Sequence, residues 1–487
     1  MAKSVSVENI PNVPPLPINF TEFGLNENLM AAITEVGFVE PSEIQKQAIP
    51  LVMHGQDIIG QAKTGSGKTA SFALPAIDRL QFNKTVEVLV LVPTRELAQQ
   101  VEQEFVRLGQ FTPAKVVTVI GGQSGFRQIE LINRGCQVVI ATPGRLLDHL
   151  ESKKLKRFQP TMVVLDEADE MLDMGFIEDI EKIMTYLPET RQTLLFSATM
   201  PPAIVKLSKK ILKDPSEVRL TSGACPNVDV SQTLYVVNSG EREAALVRLI
   251  EYEDPYKAIV FCRRRADVDA LATELTKKKI RVRTLHGDLA QSERTRAIND
   301  IKSGVVHVLI ATDVASRGID ISDLSHVFNY HVPDNKERYI HRIGRTGRAG
   351  RKGHSITIAT PGELKHPFFR GYKMENFELR QVPSKAQLER KVRGQLIDQI
   401  NSARIDNEAE VIFDRVQQEG NTRQFFCQMY SLLQSNNAVS GEDKIGYRPK
   451  DVVEMAKNRS QGKRGFRKKS SSGQKNGRPP KKGRRRR

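Results

Sequence analysis

Asp57-Ile-Ile-Gly-Gln-Ala-Lys-Thr-Gly-Ser-Gly-Lys-Thr69 runs from an apolar stretch through a glycine-rich turn into Ala70–Ile77, a helix-like segment. A strand end that passes through Ala62-x-x-x-x-Gly67-Lys68-Thr69 into a helix is a loop suited to phosphates. Gly65 and Gly67 let the backbone curl with its N–H groups inward, and the helix start adds positive potential. Ala62, Lys63, Thr64 and Ser66 complete the curl; Lys68 would neutralise the β and γ phosphates, and Thr69 would ligate Mg2+. Ala62 stands where the strict pattern has Gly, so the match is to a relaxed form. The plainer alternative is a glycine-rich turn with an exposed lysine, which the strand-loop-helix context disfavours.

Outward from this loop, short apolar runs alternate with helix-like segments between about residues 20 and 220. The expected strands are Glu87–Val92, Val117–Ile120, Gln137–Ala141, Met162–Leu165 and Thr193–Phe196, rich in Val, Ile and Leu without clean alternation. That pattern suits strands buried on both faces of a parallel sheet. Asp214–Pro226 reads as a linker, broken by Pro215, Gly223 and Pro226. The alternation resumes with Leu234–Val237, Ala258–Phe261, Val282–Leu285, His307–Ile310, His326–Tyr330 and Ser355–Ile358. The fold class is therefore α/β, with two tandem doubly wound parallel-sheet domains. Beyond them lie a helical extension over 384–434 and a tail over 436–487 expected to be disordered, basic and RNA-binding, polar from Asn436 and rich in Gly, Ser, Lys and Arg from Gln461. In the extension Leu388, Val392, Leu396 and Ile400 recur at four-residue steps, and Asn407–Gln418 and Thr422–Leu433 are further helix candidates. The divisions are an N-terminal extension 1–17, a region 18–46, a first domain 47–220, a linker 221–230 and a second domain 231–380.

Asp166-Glu-Ala-Asp169 follows the apolar strand Met162–Leu165, so Asp166 faces the crevice at a strand's carboxyl edge. Below a phosphate loop, Asp166 would hold Mg2+ and Glu167 would polarise an attacking water. Taken alone, the four residues would read equally well as an acidic helix start. In His341-Arg-Ile-Gly-Arg-Thr-Gly-Arg348, Arg345 and Arg348 stand three apart, on one face if helical. Arginines brought in from a second domain stabilise the charge of a transferring phosphoryl group and contribute about 10³ to 10⁵ in rate. The alternative is a basic surface helix that meets only solvent or nucleic acid.

The chain has 487 residues, no Trp and a net charge of +17. Lys463–Arg487 holds 13 Lys or Arg and no acid, which leaves +4 for the rest. Such a tail either solubilises or addresses the protein, or it binds nucleic-acid phosphates, which the preceding motifs favour. Cys136, Cys225, Cys262 and Cys427 form no CxxC pair, so neither a zinc site nor a disulfide framework is expected. No apolar run reaches membrane-spanning length and no signal peptide is evident, so a cytoplasmic protein without a membrane partner is expected.

From about Phe20 to Tyr372 the chain resembles the DEAD-box ATP-dependent RNA helicases of superfamily 2, in the bacterial type with a basic C-terminal tail. Besides the motifs above, the resemblance rests on Gly37-Phe-Val-Glu-Pro-Ser-Glu-Ile-Gln45, Pro93-Thr-Arg-Glu-Leu-Ala98, Gly121-Gly122, Thr142-Pro-Gly-Arg145, Ser197-Ala-Thr199 and Ala311-Thr-Asp-Val-Ala-Ser-Arg-Gly-Ile-Asp320. Ala62 is usual in that family. The resemblance implies two RecA-like domains, ATP and Mg2+ as cofactors and RNA as partner. It implies that Gln45 reads the adenine edge, Phe20 stacks on the ring and Asp320 contacts the ribose. Ser197 and Thr199 would couple hydrolysis to strand separation, with Asp169 and His341 as partners across the cleft. The implied RNA path comprises Pro93, Thr94, Arg95, Gly122, Thr142, Gly144 and Arg145 in the first domain. In the second it comprises Arg263, Gly287, Gln291, Arg294 and Thr312. These groups suit sugar-phosphate contact more than base reading.

The implied activity is RNA-stimulated ATP hydrolysis that separates short duplexes by domain closure and strand bending. An ATP-gated RNA clamp or annealing chaperone is the alternative, and a DNA-translocating motor is a third reading, opposed by the Gln45 motif. Ribosomal RNA or a ribonucleoprotein is a possible target. Segment 384–434 is either a homodimerisation element or a helical cap on the second domain.

Overall fold

The computed structural model describes residues 17–62, 65–220, 230–316, 321, 324–347, 351–436 and 439–461. Lys63, Thr64, Asp320 and Arg348, as well as the basic tail beyond Gln461, lie outside the described residues.

The first sheet comprises β1 (Ile58–Gln61), β2 (Val86–Leu91), β3 (Val116–Val119), β4 (Val138–Ala141), β5 (Phe158–Leu165), β6 (Gln192–Ser197) and β7 (Ser216–Arg219). Its order is β3-β4-β2-β5-β6-β1-β7, and every pairing is parallel. β2, β4 and β6 are buried along their whole length, which explains their unbroken apolar character. Helices cover both faces. Leu74 and Phe105 lie in the core on one face, and Leu146 and Ile183 in the core on the other.

The second sheet comprises β8 (Val230–Val236), β9 (Ala258–Cys262), β10 (Val282–Leu285), β11 (Val308–Thr312), β12 (His326–Asn329), β13 (Gly353–Ala359) and β14 (Glu378–Arg380). Its order is β10-β11-β9-β12-β13-β8-β14. Both sheets therefore have the RecA-like, doubly wound form expected from the sequence. By packing, the chain falls into one unit of residues 1–232 and 255–356 and another of 233–254 and 357–487.

Two short edge strands escape the sequence pattern. β7 lies inside the stretch Asp214–Pro226, whose pattern reads as a linker, and pairs with β1, and β14 pairs with β8. Ser216–Arg219 and Glu378–Arg380 each bring charged residues to an edge, so neither carries the apolar run that marks an interior strand.

Within the second unit, Lys385–Ser402 is the first helix of the extension. It buries Leu388 and Leu396, and Lys391 donates to the Tyr252 carbonyl. This helix is thus a cap on the helix Arg242–Glu253. Asn407–Gln418 and Thr422–Asn436 are helices that meet each other and leave Val411, Phe413, Phe426 and Leu432 exposed. The stretch from 439 to 461, expected to be part of a disordered tail, is a correction to the sequence reading. Ile445 and Val452 are buried, Tyr447 N–H donates to the Val236 carbonyl, and Pro449–Gln461 is helical. Buried Arg248 anchors it by donating to the carbonyls of Glu442 and Asp443. Composition misses this segment because two apolar side chains and backbone pairing hold an otherwise polar sequence.

Candidate functional site

All strands of the first sheet run the same way, so their carboxyl ends share one edge. β1, β5 and β6 there carry the phosphate loop, the Asp166–Asp169 turn and Ser197. β2, β3 and β4 carry Pro93–Arg95, Gly122 and Thr142–Arg145. The strand order thus divides the edge into two adjacent halves.

In the loop, Gly65 and Gly67 have φ of +82° and +94°. A β-carbon at Gly67 would come within 2.7 Å of both Gln45 Nε2 and Ser42 Oγ, so only glycine fits. Gln45 Oε1 accepts from Ser42 N–H at 2.8 Å, and Nε2 donates to the Gly67 carbonyl at 3.2 Å. The amide keeps one donor and one acceptor position beyond these two bonds. Phe20 is 3% exposed and stacks on Phe38, so one face of the expected adenine platform is covered. Ala62 N–H donates to the Ser197 carbonyl, joining the loop to β6. Thr69 lies half-buried in the first turn of the helix Lys68–Asp78, and Ser66 precedes it.

Lys68 is buried, with Nζ 3.0 Å from Glu167 Oε1. Burial alone would lower its pKa, but the carboxylates of Glu167, Asp166 and Asp169 outweigh that and hold it raised. Asp166 is 2% exposed, and one of its oxygens accepts from the Glu167 N–H. Burial pushes its carboxyl up, against the pull of Lys68. Glu167 has φ +54°, a left-handed backbone that a non-glycine residue rarely adopts and that recurs at functional turns.

Asp169 Oδ2 accepts from both the N–H and the hydroxyl of Thr199 at 2.8 Å. Ser197 Oγ accepts from Asp169 N–H at 3.2 Å and donates to the Thr199 carbonyl. His341, on the helix Lys336–Ile343, lies 3.8 Å from Asp169 and 2.8 Å from Glu170. Burial opposes ionisation of both His341 and Asp169. Mutual attraction and hydrogen bonds prevail, so His341 is raised and Asp169 lowered. A cleft of about 20 Å³ beside them is lined by Glu170, Arg338, His341 and Arg345 among others. The helix ends at Ile343 with Gly344, so Arg345 occupies a turn rather than the helical face it would share with Arg348.

On the other half of the edge, the Arg95 guanidinium lies across Gly121 and Gly122. Added β-carbons there would meet it at 2.8 and 2.5 Å. Thr94 caps the helix Arg95–Leu108, and Thr142 is the cap residue of Pro143–Glu151, a helix containing Gly144. Pro93 is buried at the end of β2. Arg145 donates to Gln128 and to the Gln123 carbonyl. Among the second-sheet residues, Arg263 donates to the Val332 carbonyl, Gly287 follows β10 and Thr312 closes β11. Gln291 and Arg294 donate to Glu96, at 3.2 and 2.9 Å. The sequence reading assigned no role to Glu96 or Glu170. Both lie inside quoted or adjoining motifs, but nothing in the linear pattern shows which distant side chain each would meet.

A phosphate loop and a strand-end Asp-Glu pair on tandem parallel sheets define a RecA-like phosphate-loop protein. Residues 42–207 match the DEAD/DEAH box helicase family model, and 241–350 match the helicase conserved C-terminal domain. The DEAD-box ATP-dependent RNA helicase RhpA of Helicobacter pylori is 51% identical over 364 residues, which cover 73% of this chain and 74% of RhpA. CshA of Bacillus subtilis is 43% identical over 349 residues, covering 72% of this chain and 71% of CshA. The solved chain of Saccharomyces cerevisiae Dbp5 bound to RNA and ADP BeF3 superposes with a TM-score of 0.65 at 32% identity, over 74% of this chain and 95% of that solved chain. The chain belongs to the DEAD-box ATP-dependent RNA helicases. As a member it is an ATP-using enzyme that acts on RNA.

Proposed function

We propose that RNA stimulates this protein to hydrolyse ATP to ADP and phosphate, and that closing its two sheets over RNA bends one strand and releases its complement. One observation carries the reading: His341, from the second sheet's side, engages Asp169 and Glu170 directly. A hydrolytic site completed in this way ties ATP use to the relative position of two parts of the chain.

Lys68, held as an ammonium, would exchange Glu167 for the β and γ phosphates when ATP enters. Glu167 is then free to polarise the attacking water. Arg345 and Arg348 would neutralise the transferring phosphoryl group. Gln45 would pair with the adenine edge through its remaining donor and acceptor, with Phe20 beside the ring and Asp320 at the ribose. Asp166, Glu167 and Asp169 face one buried lysine, an excess of negative charge that suits a divalent cation. Thr69 and Asp166 would hold Mg2+, which when bound neutralises charge on the phosphates. Ser197 and Thr199, bonded to Asp169, would pass the state of the ATP site to the RNA half of the edge.

Arg95, Arg145 and their neighbouring glycines favour contact with sugar and phosphate, so binding would be nearly independent of sequence. Working boundaries of 18–46, 47–220 and 231–380 accommodate these parts. Among the described residues no helix is long and apolar enough to cross a membrane. A cytoplasmic role without a membrane partner accords with that, and ribosomal RNA fits as a target. The exposed Phe413, Phe426 and Leu432 support self-association through the last two helices of the extension. Light scattering of a Phe413→Glu, Phe426→Glu variant tests it.

The deciding experiment is steady-state ATPase with and without single-stranded RNA, beside Glu167→Gln. RNA stimulation that the variant abolishes supports the reading, and fast turnover without RNA refutes it. Duplex unwinding compared with RNA retention in a non-hydrolysable ATP analogue separates a helicase from a clamp.

A further inference from the structure

We propose that Phe126 is a stacking platform for one unpaired RNA base at the margin of the sugar-phosphate path; this rests on the RNA-path reading above. The inference starts from an unusual exposure. Phe126 sits in the first turn of the helix Gly125–Arg134 and is 80% exposed. A solvent-facing phenyl ring costs free energy in water, whereas a base stacked on it recovers that cost.

Its place in the fold says what covers it. Phe126 lies three residues beyond Gly121-Gly122-Gln123, the loop crossed by Arg95 and bonded by Arg145. Gly125, one residue before it, approaches Arg145 so closely that a β-carbon would lie 2.7 Å from Nη2 and 3.1 Å from His149 Cε1. Glycine at 125 therefore lets this helix start press against the arginine while the next side chain stands clear of the surface. Gln128 then fixes the pair from below, accepting from Arg145 Nε and bonding His149. The neighbouring Arg127 is also exposed and adds positive charge beside the ring. An aromatic face flanked by phosphate-binding groups is the arrangement that holds single-stranded nucleic acid without reading its sequence. The backbone contacts would set the position of the strand, and Phe126 would hold the base that leaves the grip.

The test uses the full chain, a fluorescein-labelled single-stranded RNA of mixed sequence and a non-hydrolysable ATP analogue. A parallel series carries 2-aminopurine at successive positions. The wild type is expected to quench 2-aminopurine at one position. Phe126→Ala should abolish that quench and weaken RNA binding about tenfold, within the range of stacking on one base. Phe126→Trp should retain both, and Phe126→Leu should behave like Phe126→Ala. Unaltered melting curves would show that these exposed substitutions leave the fold intact. Equal affinity and unchanged quenching in Phe126→Ala overturn the stacking platform and leave the ring to a protein partner. Wild-type behaviour of Phe126→Leu overturns stacking in favour of plain apolar contact. If Arg95→Ala and Arg145→Ala also bind RNA as the wild type does, the RNA path itself is misplaced, which distinguishes the two failures.

Discussion

Removing Glu96 should weaken nucleotide-dependent RNA binding more than removing any exposed charge. Glu96, on the first sheet's side, takes hydrogen bonds from Arg294 at 2.9 Å and Gln291 at 3.2 Å, both on the helix Gln291–Ser303. The side chains of Glu96 and Arg294 are 8% and 14% exposed, so the pair is largely desolvated. Breaking a buried pair by deleting one partner costs about 3–5 kcal/mol. The residual exposure argues for the lower figure, about 3 kcal/mol, which corresponds to roughly 100-fold in affinity. Because the bond joins elements of the two sheets, that loss falls on the state in which they meet. The assay is RNA affinity with a non-hydrolysable ATP analogue, for Glu96→Ala, Arg294→Ala and the double variant. Each single variant should lose about 100-fold, and the double variant little more. Additive losses, with coupling below about 0.5 kcal/mol, would refute the latch. So would tighter RNA binding by Glu96→Ala together with a salt slope reduced by about one in Arg294→Ala, since Arg294 would then be a phosphate contact.

Gly67→Ala should abolish measurable ATP binding by calorimetry, because the β-carbon would strike Gln45 and Ser42 at 2.7 Å on a backbone with φ +94°. The His341 contact should depend on pH. The raised His341 keeps its charge, and hence this contact, fully below its ordinary 6.5 and loses it as pH rises through the raised value; the lowered Asp169 loses its part only as pH falls through its depressed value. RNA-stimulated kcat/KM should therefore fall on the alkaline side, and His341→Gln should remove that limb from the pH profile. Arg248→Ala should free residues 439–452, seen as faster amide exchange there, at a cost of about 2–3 kcal/mol for carbonyls left without their charged donor. Deleting 463–487, with its 13 basic residues, should flatten the salt dependence of RNA binding, and an unchanged slope would exclude the tail as a phosphate contact.

The two parallel sheets and the phosphate loop were legible in the chain because their physics is local. A strand buried on both faces needs an unbroken apolar run, as in Val86–Leu91, and a phosphate cradle needs glycine where φ is positive, as at Gly67. The same locality explains why Asp166 and Glu167 could be read from the strand that precedes them. Edge strands such as Ser216–Arg219 lack that signature, since one side of an edge meets solvent and tolerates charge. The boundary of the helix Lys336–Ile343, which leaves Arg345 in a turn, depends on Gly344 ending the helix, whereas spacing alone would continue it.

Pairings between distant segments belong to the folded chain. Glu96 with Arg294, Glu170 with His341, and Arg248 with the Glu442 carbonyl join residues 171 to 198 positions apart, and only after the sheets have formed. A linear pattern records which side chains can ionise or donate; it holds no term for which of several carboxylates a guanidinium will meet. That choice is made by sheet order and helix placement. The exposed Phe126 and the ordered stretch from 439 were likewise out of reach of composition, because solvent exposure and burial are properties of the surroundings a side chain acquires on folding.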